Sequence, residues 1–303
     1  MKQNIMRRNI KMLKGSLVAL VTPFNEDGSV NYDKLLELIN LHSKNSDGIV
    51  LIGTTGEGTT LSSAEEEEMV KFTVKNLNHR VPLVVGAGSN NTAEAVNKAR
   101  LYSSLGADYL LTITPYYNKC NESGLIKHFE AIAEASSCPI ILYNVPGRTG
   151  MGISINALRV LSKNPNIIGI KEASGNMSYA MECSKLLNDE FIMLSGNDDL
   201  IVPMMSIGAS GVISVLANIA PINTSKICKL CLANKYSEAM MLAKSLLGVT
   251  NALFYEVNPI PVKEAMNYLG YGVGGYRAPL DYMSEGNKLR LIKEIDLAKE
   301  EIK

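Results

Sequence analysis

Short apolar runs recur along the chain at steady intervals, at positions 17–21, 49–52, 83–85, 109–113, 140–143, 167–170, 191–194 and 212–215. They are rich in Val, Ile and Leu and lack the polar alternation of a half-solvated strand. That is the pattern of strands covered on both faces. Between them lie segments with apolar residues at helical spacing, at 32–43, 64–77, 93–105, 124–135 and 177–187. Parallel neighbours need a crossover, so strands alternating with helices predict a parallel α/β architecture. Eight such units are the count of a TIM (β/α)8 barrel. A doubly wound sheet is the rival, because strand order cannot be read from periodicity.

Helix starts are marked by Ser62-Ser63-Ala64-Glu65 and Asn91-Thr92-Ala93-Glu94, each with a capping oxygen three residues ahead of a glutamate. Beyond about residue 233 the pattern changes. Segments 236–255, 261–269 and 285–302 all read as helical, with no strand between them. The expected organisation is a basic leader over 1–14, the barrel over 15–234 and a C-terminal helical domain over 235–303. The leader is expected to be disordered or to precede a true start at Met12.

Composition narrows the function. Thirty basic and thirty acidic residues cancel, so neither nucleic acid nor an anionic membrane is indicated as a partner. Lys2, Arg7, Arg8, Lys11 and Lys14 are the exception, but no aromatic residues interleave with them as in an RNA-binding arm. No apolar run is long enough to span a membrane, and the basic start lacks the apolar core of a signal peptide. The five cysteines, an odd number, point to reduced thiols and a cytoplasmic protein. His42, His79 and His128 form no metal-binding spacing, and a surface place is expected for each.

The chemistry concentrates where strands end, which in barrels is where ligands bind. Lys171 closes the run Asn166-Ile167-Ile168-Gly169-Ile170. A poorly hydrated lysine amine can act as a nucleophile toward a carbonyl substrate, forming a Schiff base; the plainer alternative is a lysine that reaches solvent or pairs with a carboxylate. The second strand runs into Gly53-Thr54-Thr55-Gly56-Glu57-Gly58, whose glycines allow close backbone approach to an anion or simply make a turn. The fourth runs into Thr114-Pro115-Tyr116-Tyr117, the fifth into Asn144-Val145-Pro146-Gly147-Arg148-Thr149, and the seventh into Ser195-Gly196-Asn197-Asp198-Asp199. Phenols can pass protons and a guanidinium can grip a carboxylate, although singly each could serve packing or solvation. Jointly they point to enamine chemistry on a keto acid. Asp198 and Asp199 read as the cap of the following helix, and Gly86-Ala87-Gly88 is an incomplete dinucleotide fingerprint.

The segments Gly53-Thr54-Thr55-Gly56-Glu57, Thr114-Pro115-Tyr116-Tyr117, Tyr143-Asn144-Val145-Pro146-Gly147-Arg148-Thr149 and Gly169-Ile170-Lys171-Glu172, with Asn258-Pro259-Ile260-Pro261-Val262-Lys263 later on, resemble the signatures of the dihydrodipicolinate synthase family. This is a branch of the pyruvate-dependent class I aldolases. The resemblance runs in order from about Lys14 to Gly270. It implies a Schiff base between Lys171 and pyruvate, with Tyr143 as proton donor and acceptor. Thr54 and Tyr117 would complete a hydroxyl relay, Tyr117 reaching a neighbouring subunit of a dimer or dimer of dimers. It further implies that Thr55 holds the pyruvate carboxylate, that Gly196 and Ile213 line the pocket, and that Arg148 binds aspartate semialdehyde. No cofactor or metal is implied.

Asn90, Glu94 and Tyr116 match the allosteric lysine cleft of sensitive relatives. Ser63 and Glu66 replace the histidines often found there, and Gly58 and Thr59 also differ, so lysine inhibition is expected to be weak or absent. Glu66 would either add a negative charge to the cleft or point to solvent. Two other readings keep the barrel. A sugar-acid aldolase would keep the imine but need a polyol-binding rim in place of the arginine clamp, and a non-catalytic carboxylate sensor would have no use for the relay hydroxyls.

Overall fold

The computed structural model describes residues 12–302. Eight strands form a closed parallel barrel in sequence order: β1 (Gly15–Ala19), β2 (Gly48–Leu51), β3 (Leu83–Gly86), β4 (Tyr109–Ile113), β5 (Ile140–Asn144), β6 (Ile167–Glu172), β7 (Ile192–Ser195) and β8 (Gly211–Ser214), the last pairing with β1. The helices between them are α1 (Tyr32–Asn45), α2 (Ser63–Leu77), α3 (Thr92–Ser104), α4 (Glu122–Ala135), α5 (Pro146–Thr149), α6 (Ile155–Leu161), α7 (Met177–Ser184) and α8 (Ile201–Ser206), with α9 (Pro221–Leu232) after β8. The doubly wound alternative is excluded by the β1–β8 closure. No helix among the described residues is long and apolar enough to cross a membrane.

Strand alternation divides the core into two. Val18, Leu51, Val85, Leu110 and Leu142 point outward against the helices. Leu17, Ala19, Val50, Val84, Leu111, Ile141 and Ile213 fill the barrel interior. Leu13 is buried in that inner set, so barrel packing includes a residue that the sequence assigns to the leader. The rest of the expected leader, up to residue 11, lies outside the described residues.

The single helix expected over 236–255 is two, α10 (Tyr236–Ser245) and α11 (Leu247–Ala252). The turn seats α11 so closely on a later helix that a Cβ on Gly248 would stand 2.1 Å from Glu294 Oε2. After α12 (Ile260–Tyr268), the segment expected over 285–302 is likewise two, α13 (Glu285–Leu297) and α14 (Lys299–Ile302), divided at Ala298. The capping box at Ser62 forms as expected, with Ser62 N–H donating to Glu65. At Asn91 the capping oxygen is in place and accepts from Ala93 N–H at 3.0 Å, but the box does not close, because the Glu94 carboxylate instead accepts from the Ser89 hydroxyl.

Two histidines expected at the surface are buried. His42 shares a hydrogen bond with Ser46, and His128 with Thr92. Burial lowers both to about 4, so both rings are neutral near pH 7.

Candidate active site

Lys171 owes its orientation to an irregularity in β6. Ile140 stands opposite Ile167 but Ile141 opposite Gly169, so β6 carries one extra residue. Such a bulge shifts the side-chain alternation beyond it. Ile170 then faces outward, and Lys171, opposite Tyr143, takes the inward side of its neighbour. Glycine is required at the bulge: a Cβ on Gly169 would lie 2.5 Å from Ile192 O. The sequence reading missed this device, although a glycine inside an apolar strand is its usual signal.

The Lys171 side chain is 8% exposed, and its Nζ lies 4.3 Å from the centre of the Tyr143 ring. Gly196 makes room on the other side, since a Cβ there would stand 3.0 Å from Lys171 Cε and 2.4 Å from the Ala173 Cβ. Next to Lys171, the buried Glu172 accepts from Asn144 Nδ2 at 2.6 Å and from Ser174 N–H at 2.7 Å. Burial raises its carboxyl despite those bonds. Asp198 does not cap the next helix as expected. It is buried, and one carboxylate oxygen accepts from the N–H groups of Val215 and Leu216 at 2.9 Å, joining the ends of β7 and β8. Burial raises its carboxyl, against the hydrogen bonds that it accepts and, last, the charge of Lys171.

The Thr54–Thr55 loop is held under strain. Ile52 and Glu57 have φ of 57° and 53°, costly for side chains that carry a Cβ. Gly58 and Gly86 permit this, because a Cβ on either would stand 2.6 or 2.3 Å from Ile52 O. Thr55 is buried, and its hydroxyl accepts from Asn258 Nδ2 at 2.9 Å. Thr54 is half-buried. The loop is pinned by Glu57, which is fully buried against Lys263 at 2.8 Å and also accepts from Arg277 N–H. Lys263 further donates to Thr22 O and lies 4.4 Å from the centre of the Phe24 ring.

Arg148, on α5, is exposed and donates through Nη2 to Asn258 O at 3.1 Å. Its guanidinium has no other hydrogen bond or ion pair among the described residues, which leaves most of its donors toward solvent. Ile213 is buried inside the barrel on β8. Tyr117 is not brought into the site by its own chain: it is 92% exposed, with φ of 67°. Asn90 donates to Tyr116 O at 3.3 Å, and Glu94 accepts at 2.9 Å from the hydroxyl of Ser89, the residue before Asn90. Glu66 does not point to solvent. It is buried and accepts from Lys98 Nζ at 2.9 Å and from the Tyr102 phenol at 2.6 Å, so its charge is met within the chain.

A buried strand-end amine beside a phenol, inside a closed (β/α)8 barrel, is an arrangement that can form a Schiff base with a carbonyl substrate. The model of the dihydrodipicolinate synthetase family matches residues 12–298, and the chain belongs to that family. A 4-hydroxy-tetrahydrodipicolinate synthase of Clostridium tetani is 49% identical over 288 residues, covering 94% of this chain and 98% of the relative. One from Caldicellulosiruptor saccharolyticus is 47% identical over 285 residues, covering 94% and 96%. Among solved structures, the chloride-inhibited dihydrodipicolinate synthase of Acinetobacter baumannii, complexed with pyruvate, is 40% identical with a TM-score of 0.93, covering 95% of this chain and 99% of that one. The Aquifex aeolicus enzyme is 39% identical with a TM-score of 0.92, covering 96% and 100%.

Proposed function

We infer that this enzyme condenses pyruvate with L-aspartate 4-semialdehyde, through a Schiff base on Lys171, to give 4-hydroxy-tetrahydrodipicolinate for lysine and diaminopimelate biosynthesis. The observation that carries the reading is the buried Lys171 amine, aimed by the β6 bulge against the Tyr143 ring. Lys171 Nζ attacks the pyruvate carbonyl carbon, and water leaves as the imine forms. A methyl proton passes to the hydroxyl relay of Tyr143, Thr54 and Tyr117, giving the enamine. The enamine carbon bonds to the aldehyde carbon while Tyr143 returns a proton to the aldehyde oxygen. The substrate's own amine then attacks the imine carbon, closes the ring and releases Lys171. Thr55 holds the pyruvate carboxylate, Gly196 and Ile213 shape the pocket around the imine, and Arg148 grips the carboxylate of the semialdehyde.

Arg148→Ala tests this assignment against the sugar-acid alternative. Loss of a charged clamp is expected to lower kcat/KM for the semialdehyde about 30- to 1000-fold while pyruvate imine formation survives. Equal loss for both substrates would make Arg148 structural. Aldol cleavage of sugar acids by the unaltered enzyme would favour the other branch.

The working unit we propose is a dimer, or a pair of dimers, in which Tyr117 completes the relay of a neighbouring subunit. Its support is a tyrosine projecting from a left-handed backbone position with nearly all of its surface free. Mixed Tyr117→Phe and Lys171→Ala subunits are expected to regain activity after exchange, because a hybrid rebuilds one whole site. No recovery after verified exchange would contradict a shared relay.

A further inference from the structure

We propose that Asn258 is a positioning residue for the keto acid, its side-chain amide directing the Thr55 hydroxyl proton toward the substrate carboxylate. The proposal rests on the reading of Thr55 given above. Asn258 lies just ahead of α12, 203 residues from Thr55 along the chain, yet its Nδ2 donates to Thr55 Oγ1 at 2.9 Å. Both residues are buried, at 6% and 3% exposure. A hydroxyl has one proton and can accept as well as donate. With one of its two lone pairs engaged by the amide, the Thr55 hydroxyl turns its proton away from Asn258 and offers it as a donor, which is the role a carboxylate ligand requires. Without the amide the hydroxyl is free to turn its proton to any nearby carbonyl, and the donor is lost to the substrate.

Two further observations separate this role from packing. The Asn258 amide oxygen is buried without a partner among the described residues. A buried unmet acceptor is a cost that an apolar residue of similar size would avoid, so the amide is not explained as part of a satisfied core network. The Asn258 backbone carbonyl accepts from Arg148 Nη2 at 3.1 Å. One residue thus serves both carboxylate sites, the keto acid's through its side chain and the semialdehyde's through its backbone. Substitution of the side chain reaches only the first.

The test is a double-mutant cycle read separately for the two substrates. When the first substrate forms a covalent intermediate before the second reacts, the two kcat/KM values report on different steps. Asn258→Ala is expected to lower kcat/KM for pyruvate about 10-fold and to leave that for the semialdehyde within about twofold. Thr55→Val is expected to lower the pyruvate value by roughly 10- to 100-fold. The double variant should be no worse than Thr55→Val, because the amide then has no hydroxyl to direct. Asn258→Asp should be poorer than Asn258→Ala, since a carboxylate would take the Thr55 proton and repel the substrate. Multiplying losses in the double variant, equal losses for both substrates, or an Asn258→Asp enzyme that keeps its pyruvate kcat/KM would each overturn the proposal. Thr55→Val with full pyruvate kcat/KM would instead show that the reading of Thr55 has failed. Should Asn258→Ala fail to fold, Asn258→Ser makes the same truncation with a small polar group and carries the cycle.

Discussion

Lys171→Ala is expected to lower kcat on the order of 10⁴- to 10⁶-fold, the range seen when a covalent nucleophile is removed. Without the amine there is no imine, and the pyruvate methyl group is not acidic enough to lose its proton to a tyrosine. The loss should fall on the chemical step, because the Asn258–Thr55 hydrogen bond proposed to direct Thr55 toward the keto acid is left in place. Lys171→Arg is the informative companion. It keeps a cation beside the Tyr143 ring but supplies no nucleophile, so it should be as inactive as the alanine variant. The fold should survive both changes, since Lys171 has no salt bridge among the described residues. Near-normal turnover in either variant, measured by product formation with both substrates, would refute the nucleophile assignment.

Lys263→Met is expected to destabilise the protein by about 3–5 kcal/mol. Its ammonium is fully buried, and it answers Glu57 at 2.8 Å. Burial lowers Lys263, and the charge and hydrogen bond of Glu57 oppose that shift. Removing the lysine strands a carboxylate in the interior with, among the described residues, only the Arg277 N–H still donating to it. For a chain of this size the midpoint of thermal unfolding should fall by roughly 6–20 °C. Because Glu57 ends the strained loop that carries Thr54 and Thr55, activity should fall as well. The double variant Glu57→Gln/Lys263→Met removes the stranded charge and should recover most of the stability, since buried ion pairs are often replaceable together. A lone Lys263→Met variant that melts with the unaltered enzyme would show that the pair does not hold the loop.

The barrel was legible because both faces of each strand are covered, which leaves uninterrupted apolar runs between amphipathic helices. Strand ends were found to within a residue or two. The short helices α5 and α6 were missed, since so few turns carry no clear period, and α8 was expected only as the helix that follows Asp199. The residues at the strand ends were legible too, as a pattern whose chemistry makes sense together. What stayed hidden was whatever depends on partners distant in sequence. Glu57 and Lys263 are 206 residues apart, and nothing local marks either as buried. Asn258 is equally remote from Thr55. Glu66, in the acidic run 65–68, has the composition of a solvated helix face, yet Lys98 and Tyr102 of the next helix draw it inside. Asp198 looked like a helix cap because the sequence cannot show that the N–H groups after β8 lie closer to it than those of its own helix. His42 and His128 sit on helix faces whose burial is decided by packing.

Lys171, turned inward by the bulge in β6, is expected to form a covalent imine with pyruvate. The most direct measurement is borohydride reduction of the enzyme in the presence of pyruvate, followed by peptide mass mapping. One reduced pyruvoyl adduct is expected per chain, on the peptide that contains Lys171, and Lys171→Ala should carry none. An adduct on Lys263 or any other lysine, or an unlabelled enzyme that still turns over, would contradict the account.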